Sequence, residues 1–361
     1  MGQNGAHMKQ SPLAPLHERL SARMSNDGGW SMPQQYTNLI NEHIAARASC
    51  AVFDISHFGK FQLTGKGALA WLEQHLSNDI ASCRDGALQQ TLMLREDGAI
   101  LDRFTLMREN SERFLLIGSV SLADSDYKIL SKELQNTSLQ FTNETDRLCI
   151  IALSGPDSRK VLARVFYDTP IPAKGTFHQF RHGRMNCILS HADLSGSGSL
   201  EIFCPAASGI SLFEQCMAAG AVPCGILTRN YLRISRGYGD AEKDFQKKLP
   251  ASAGLSHLCS RGKNYTGSDS VNTHQPADAL LVPLRCHAQG RTPAVGSKVQ
   301  NEKGEVIGKV TSAAPSPGAH SYAMAYVKSP YAEAGTKLQV ICDGQKVPAT
   351  VAEKEDSETM A

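Results

Sequence analysis

The stretch that decides the fold covers residues 88–107 and reads LQQTLMLREDGAILDRFTLM. Two apolar runs flank an acidic turn, EDG at residues 96–98, a pattern that predicts a β-hairpin. The second run carries two adjacent charges, Asp102 and Arg103. Charges within a mostly apolar strand are costly to bury unless they are paired or used. This strand is therefore either an edge strand or one with a solvated face, or it carries part of a functional site.

Length and charge bound the classes of protein that the chain can belong to. Its 361 residues suffice for two or three domains and a large core. The 37 Lys and Arg nearly balance the 35 Asp and Glu, a composition that indicates neither a nucleic-acid-binding tail nor a polybasic membrane anchor. No apolar run approaches the roughly 18–20 residues that span a bilayer. We therefore expect no nucleic-acid partner and no membrane association.

The N-terminus and the cysteines indicate the compartment. Residues 1–10 have neither the apolar core of a signal peptide nor the arginines of a transit peptide, and we expect a disordered tail there. The ten cysteines are scattered, without a Cys-x-x-Cys pair, which is typical of a reducing compartment rather than a disulfide framework. These features predict a cytoplasmic protein. No metal site is predicted.

Hydrophobic periodicity predicts short helices mixed with short strands, which favours an α+β fold over a doubly wound sheet. Helices are predicted over residues 37–48, 67–76, 123–134, 209–219 and 228–236, with another from about 158. Strands are predicted over residues 50–55, 60–63, 114–117, 148–153, 184–190 and 199–203. Residues 268–279 are polar and form the best candidate linker. Beyond them, strands separated by Gly and Pro turns predict a small β-sandwich or barrel.

Four ordered blocks of sequence resemble the T-protein of the glycine cleavage system. They are DGGWSMPQQY at residues 27–36, FDISHFG at 53–59, SND at 77–79 and EDGAILD at 96–102. Their order and spacing fit that family from about Pro12 to about Val351. Several long blocks in the right order are far more specific than any one of them.

The resemblance implies a three-domain architecture around a central folate cavity. By that likeness, residues 11–52 and 148–267 form a discontinuous folate-binding domain, and residues 53–147 form an α+β domain inserted into it. Residues 268–279 then link these parts to a C-terminal β domain over 280–361, which the family folds as a β-barrel of jelly-roll-like form. Residues 1–10 remain a tail.

The resemblance also implies an activity, a co-substrate and a partner. T-proteins are aminomethyltransferases of glycine catabolism, which accept an aminomethyl group from the lipoyl arm of the H-protein. They release ammonia and transfer the one-carbon unit to tetrahydrofolate. Tetrahydrofolate is therefore the expected co-substrate and lipoylated H-protein the expected partner. We expect a monomer or a weak dimer.

At the position of the family's catalytic acid, however, the sequence departs from the pattern. The family carries an Asp-Asp pair on the hairpin strand, and its second carboxylate offsets positive charge that develops around the folate nitrogens. Here the pair is Asp102-Arg103, so arginine holds the catalytic position. An always-charged guanidinium opposes a cationic intermediate. Asp102 could substitute only after a register slip or bulge, because adjacent strand residues point to opposite faces.

The positions expected to bind folate are partly retained. Glu201 matches the family glutamate that grips the pterin, and Arg229 matches an arginine of the cavity. Three positions that are tyrosine in the family are occupied here by Gln90, Met107 and Leu194. The resemblance thus predicts a folate site that has kept its polar anchors but lost aromatic contacts.

Retained polar residues also have structural explanations that compete with ligand binding. Asp54 and Asn78 suit turns or caps, His57 suits a hydrogen-bonded buried histidine, and Glu201 could face solvent. Arg236 is interpreted as surface charge.

Three functions therefore stay open. The first is an aminomethyltransferase of the glycine cleavage system, and the second is a non-catalytic relative that binds folate or a partner protein. The third is a different one-carbon transferase, in which Arg103 pairs with an anionic substrate such as a carboxylate.

Overall fold

The computed structural model describes residues 8–273, 277–287, 290–315, 318 and 320–353. The first segment contains β1 (Lys9–Gln10), α1 (Ala14–Arg19), β2 (Arg23–Asp27), β3 (Trp30–Gln35), α2 (Leu39–Ala48) and β4 (Ala51–Asp54). The second contains β5 (Gly59–Thr64), α3 (Ala68–His75), β6 (Leu88–Leu94), β7 (Ile100–Asn110), β8 (Arg113–Gly118), α4 (Ala123–Glu133) and β9 (Gln140–Asn143).

The second half of the chain continues this alternation and then becomes all β. Its first part contains β10 (Leu148–Ser154), α5 (Ser158–Val165), β11 (Phe177–His182), β12 (Met185–Ser190), β13 (Ser199–Pro205), α6 (Gly209–Ala218), β14 (Val222–Pro223), α7 (Ile226–Ser235), α8 (Pro250–Ala253) and α9 (Ser268–Thr273). The last part contains β15 (Ala279–Cys286), β16 (Lys298–Gln300), β17 (Val306–Ala314), β18 (Ser321–Lys328), β19 (Lys337–Cys342) and β20 (Gln345–Val351).

A six-stranded sheet joins strands from both sides of the inserted segment. Its order is β11-β12-β13-β10-β4-β14, antiparallel except where β14 lies parallel to β4. The chain leaves this sheet after Asp54 and returns at β10, where Ile151 pairs with Asp54. Every residue of β4 is buried, as expected of a strand covered on both faces.

The hairpin predicted over residues 88–107 is confirmed as β6 and β7 of a five-stranded sheet of order β6-β7-β8-β5-β9. In its turn, the Arg95 amide donates to the Ala99 carbonyl at 2.9 Å. Gly98 there has a φ of +77°, a conformation that glycine adopts without strain. Because β7 pairs with β6 and β8, it is not an edge strand overall. Its pairing with β8 covers only Thr105–Asn110, so Asp102 and Arg103 extend past the end of β8.

The two faces of β7 pack into different cores. Phe104 and Leu106 lie in a cluster with Leu72 of α3 and Leu130 of α4. Met107 faces the opposite side, in the core that also contains residues of α7 and the barrel. Alternation along the strand therefore places Arg103 on the side of α7, and Asp102 on the side of α4.

The C-terminal segment closes on itself. Its strands form a barrel of order β15-β18-β17-β16-β19-β20, with a core that includes Leu284, Val310, Ala325 and Val340. Each of the six described strands pairs with two neighbours, so none of them is an edge strand. The α+β class and the C-terminal barrel predicted from sequence are confirmed.

Three details of the predicted domain boundaries differ in the structure. The polar segment 268–279, expected to be a linker, begins with helix α9, while residues 274–276 lie outside the described residues. In the tail predicted to be disordered, Lys9–Gln10 form a strand parallel to β3, and residues 1–7 lie outside the described residues. Phe53 and Asp54 belong to the six-stranded sheet, so the inserted segment begins after Asp54 rather than at residue 53.

Candidate functional site

A cavity of ≈ 50 Å³ lies where the inserted sheet meets α7 and the turn after β2. It adjoins the predicted catalytic position and one of the retained arginines. The lining residues are Asp27, Gly28, Phe58, Arg103, Ser119, Val120, Ser121, Leu194, Ser195, Arg229, Arg233, Tyr238, Gly239, Asp240, Ala241, Glu242 and Lys243.

Arg103 reaches the cavity from β7 and is held there by aromatic rings. Its guanidinium carbon lies 4.0 Å from the centre of the Tyr238 ring and 5.3 Å from that of Phe245. Nη2 donates to the Gly239 carbonyl at 3.0 Å. No carboxylate of the described residues lies within ion-pair distance of it. The position predicted to correspond to the family's catalytic acid thus presents a positive charge that no described carboxylate neutralises.

Asp102 points away from the cavity, toward α4. Its carboxylate accepts hydrogen bonds from the Ser119 amide at 2.9 Å and the Ser119 hydroxyl at 2.5 Å. Burial raises the pKa of Asp102, and burial together with the Asp102 charge raises the pKa of Asp126 to about 10. At neutral pH the two carboxyls therefore retain one proton between them, as a coupled pair.

A bulge could let Asp102 take the place of the family's catalytic acid by turning its side chain toward the cavity. The hairpin has a bulge, but its position leaves Asp102 on the other face. The β6–β7 register shifts between Met93 and Leu94, and Leu101 is left without a partner. Beyond it, Asp102 pairs with Met93 and Arg103 with Leu92. Arg103 therefore keeps the face that leads to the cavity, and Asp102 is not a group that this cavity presents.

Arg229, predicted to lie at the cavity, does so as part of a buried ionic cluster. Its Nη2 lies 2.9 Å from Asp27 Oδ2, and His57 Nε2 lies 3.0 Å from the same oxygen. Burial alone would raise the pKa of Asp27, but the His57 hydrogen bond and the Arg229 and Lys243 charges outweigh it and hold this pKa well below its usual range. Burial lowers the pKa of His57 despite Asp27, so the imidazole is neutral at pH 7. The Asp27 carboxylate carries the negative charge of this cluster, and it is already paired with Arg229.

Glu201 is fully buried on β13, and its carboxylate is occupied by the chain itself. Oε2 accepts from the Ser190 hydroxyl at 2.7 Å and the Ala192 amide at 3.1 Å. Oε1 accepts from the Leu194 amide at 2.9 Å and the Ser199 hydroxyl at 2.8 Å. Burial raises the pKa of Glu201 to about 7, although the Ser190 hydrogen bond favours the ionised form. Glu201 neither faces solvent nor lines the cavity, and instead fixes the loop over residues 192–199.

The three positions that lost the family's tyrosines have different surroundings. Leu194 lines the cavity and is buried. Gln90 does not line it, but its Nε2 donates to the Tyr238 hydroxyl at 3.4 Å. Met107 packs in the core and does not line this cavity, and a folate contact there stays a prediction.

Sequence reasoning missed several lining residues, among them Ser119, Ser121 and Tyr238. Tyr238 makes the contact with Arg103. Its ring lies between the Arg103 guanidinium and the loop at Gly196, where an added Cβ would overlap the ring. The Gln90 amide contacts its hydroxyl. The only sequence signal was the Gly-Tyr-Gly motif at 237–239 directly after α7, which is typical of a tight turn.

Within the described residues, no group of three or more His, Cys, Asp or Glu is placed to hold a metal ion. His178 and His182, whose spacing is that of some metal sites, lie on β11 outside any such group. The described helices are also all too short or too polar to cross a bilayer.

Comparison with known proteins identifies the family. The GCVT N-terminal domain family matches residues 13–263, and the glycine cleavage T-protein C-terminal barrel domain family matches residues 281–355. The chain therefore belongs to the glycine cleavage T-protein family, as the sequence blocks predicted.

Curated relatives and a solved structure agree with that assignment. The chain is 31% identical to an aminomethyltransferase of Deinococcus deserti over 95% of both chains. It is 32% identical to one of Chlorobaculum tepidum over 95% of this chain and 97% of the relative. The crystal structure of the glycine cleavage system aminomethyltransferase T from Bartonella henselae has the same fold, with a TM-score of 0.87 at 24% identity, covering 96% of this chain and 97% of that one.

Proposed function

We propose that this chain is a tetrahydrofolate-dependent, aminomethyltransferase-like protein of the glycine cleavage system, in which Arg103 weakens the ammonia-releasing step. It accepts the aminomethyl group from the lipoyl arm of the H-protein. The observation that carries the proposal is family membership from end to end, with both T-protein domains in order. Tetrahydrofolate is its co-substrate, and lipoylated H-protein its partner.

The cavity supports this proposal through the cluster around Arg229. Asp27 and His57 belong to two of the blocks that resemble the family, and they hold Arg229 at the cavity wall. A guanidinium fixed in this way is preorganised to receive a polar ligand edge without further reorganisation. This part of the site does not depend on the residue at position 103.

Arg103 accounts for the expected loss of rate. The transfer passes through a cationic carbon centre, which a nearby carboxylate stabilises and a guanidinium destabilises. Removing one preorganised electrostatic partner of a transition state costs about 10²–10³ in rate. Replacing it by the opposite charge removes the partner and adds repulsion, so we expect at least that loss relative to a T-protein with its carboxylate.

The direct test has two arms. Calorimetric titration of the native chain with tetrahydrofolate measures binding, and single-turnover ammonia release from aminomethylated H-protein measures transfer. The proposal expects saturable folate binding together with slow but folate-dependent ammonia release. Ammonia release that is the same with and without tetrahydrofolate, or no folate binding, would contradict it.

A second candidate is a non-catalytic relative that binds folate or a partner protein. Two observations favour it. The cavity of ≈ 50 Å³ is far below the roughly 300–1,000 Å³ of typical ligand pockets, and the Glu201 carboxylate is already saturated by the loop over 192–199. On this alternative, the titration shows binding of folate or H-protein but no ammonia is released.

We also propose a reducing compartment, consistent with a cytoplasmic protein. The support is that all ten cysteines are free, and that nine of them are buried. Thiols in such positions act as small hydrophobic side chains.

A further inference from the structure

We infer that the cavity beside Arg103 is a binding site for a small carboxylate anion, which the T-protein reaction does not require. The argument starts from charge. Arg229 and Arg233 both line the cavity, and each has an acidic partner, Asp27 at 2.9 Å and Asp244 at 3.4 Å. Arg103 also lines the cavity, but no carboxylate of the described residues lies within ion-pair distance of its guanidinium.

The donors of Arg103 are largely unused. A guanidinium has five N–H donors, and in the described part of the chain the Gly239 carbonyl accepts from only one nitrogen, Nη2. Because leaving partly buried charged donors unpaired is costly, a ligand or solvent must satisfy the others. The contact with the Tyr238 ring and the hydrogen bond to Gly239 hold the guanidinium in place, and its remaining N–H groups point outward in its own plane. An edge of fixed orientation matches the two oxygens of a carboxylate.

A second polar group without a partner lies on the same cavity. The Ser121 hydroxyl is buried and has no hydrogen-bond partner among the described residues. A hydroxyl can donate to a carboxylate oxygen, and satisfying it would remove the cost of an unpaired buried group. The neighbouring Ser119 hydroxyl, in contrast, is committed to Asp102.

The volume of the cavity limits the size of the ligand. A space of ≈ 50 Å³ holds about three to five water-sized groups, since one water needs roughly 10–15 Å³ on this measure. That suits a carboxylate of about three to five heavy atoms in all, such as acetate or glycolate. The inference goes beyond the proposed function, because neither ammonia release nor folate binding is needed for the anion to bind.

The experiment is a calorimetric titration of the full chain with acetate and glycolate, with acetamide as the uncharged isostere and inorganic phosphate as the alternative anion. We expect saturable binding of a carboxylate and none of acetamide. Arg103→Gln should weaken carboxylate binding at least tenfold, Arg103→Lys should weaken it less, and Ser121→Ala should weaken it a few-fold. The matched control is Arg108→Gln, on the same strand but paired with Asp85 outside the cavity, which should bind like the native chain.

Two results would overturn the inference. One is the absence of saturable carboxylate binding, including the case in which only phosphate binds. The other is equal binding by the native chain and Arg103→Gln, provided that the thermal midpoint without ligand shows both to be folded. Because Arg103→Lys retains the charge, it keeps the test decisive if Arg103→Gln fails to fold. Folate titration of the same samples separates a failure here from a failure of the proposed function.

Discussion

Arg103 and Tyr238 lie against each other at the wall of the cavity, with the guanidinium carbon over the ring and 4.0 Å from its centre. Arg103 stands where the sequence resemblance predicts the catalytic acid of the T-protein family, and Tyr238 comes from the turn after α7. A guanidinium over an aromatic face is stabilised by roughly 0.5–2 kcal/mol. The two side chains thus stabilise each other and fill space at the cavity. The cavity consequently carries a guanidinium at position 103, fixed against an aromatic ring.

Removing the shared carboxylate of the Arg229 cluster should be costly. We expect Asp27→Asn to lower the free energy of unfolding by about 3–5 kcal/mol at pH 7, because it leaves a mostly buried Arg229 without its counter-charge. The pKa of Asp27 lies below its unfolded value, so its contribution is present above about pH 4 and is lost as pH falls through the folded pKa. The variant should therefore lose less stability than the native chain between pH 4 and pH 2.

Urea unfolding at pH 7, 4 and 2 measures both effects. The control is Asp157→Asn, whose ion pair with Lys160 is exposed and should contribute at most about 1 kcal/mol. Equal stability of the two variants at pH 7 would show that the Arg229 cluster contributes no more to the free energy of unfolding than an exposed ion pair does.

Glu201 should stabilise the conformation of the loop over residues 192–199 through its hydrogen bonds. We expect Glu201→Gln to lower the free energy of unfolding by about 1–3 kcal/mol, because an amide nitrogen cannot accept the hydrogen bonds that one carboxylate oxygen now accepts. The folded pKa of about 7 is raised above the unfolded value, so this group's contribution falls as pH rises from about 4.5 to 7 and is constant above.

The measurement is denaturant unfolding at pH 5, 6 and 8, with exposed Glu214→Gln on α6 as the control. If the free energy of unfolding depends on pH in the same way in Glu201→Gln and in the native chain, Glu201 does not titrate over this range.

Gly196 should be required for the position of Tyr238. A Cβ at Gly196 would overlap the ring, and its φ of +68° is strained for any residue with a side chain. Gly183 has a similar φ of +59° but open space around it, so Gly183→Ala measures backbone strain alone, at about 1 kcal/mol. We expect Gly196→Ala to cost at least 1 kcal/mol more in thermal and urea unfolding. Equal losses in the two variants would mean that the ring moves aside freely.

The proton shared by Asp102 and Asp126 should make the chain less stable in alkali. Both carboxyls have raised pKa values, so stability falls as pH rises above the unfolded value of about 4 toward the folded pKa of Asp126, about 10. Asp126→Asn keeps a donor for Asp102 without an ionisable proton. It should reduce the slope of stability against pH by up to about 1.4 kcal/mol per pH unit between pH 6 and 9.

Urea unfolding across that pH range provides the test, with exposed Asp124→Asn on the same helix as the control. If Asp126→Asn and the native chain show the same slope, the pair does not share a proton.

The elements that depend on local pattern were predictable from sequence. The hairpin of β6 and β7 follows from alternation around a Gly-containing turn, and the opposite facing of Asp102 and Arg103 follows from the pleat of a strand. The presence of an arginine beside Asp102 was likewise visible, because it needs only the identity of one residue within a recognisable block; its correspondence to the family's catalytic acid stays a prediction.

Features set by distant packing were not predictable. Tyr238 reaches Arg103 only because the chain after α7 turns back toward β7, and no local pattern specifies that approach. Residues 268–273 are polar enough for a linker, but they form α9, from which the Ser270 hydroxyl donates to the Glu96 carbonyl at the hairpin turn. Glu201 matched a ligand-binding residue in sequence, yet its four hydrogen bonds come from side chains and amides that only the folded loop brings together.

The measurement that tests the central claim most directly is single-turnover ammonia release from aminomethylated H-protein with tetrahydrofolate, comparing the native chain with Arg103→Asp. Arg103→Asn serves as the uncharged control. The account predicts that Arg103→Asp releases ammonia at least about tenfold faster than the native chain, with Arg103→Asn in between, because a carboxylate returns to the position where positive charge develops. Native turnover as fast as that of Arg103→Asp would contradict it, and would show that the arginine takes part in the reaction.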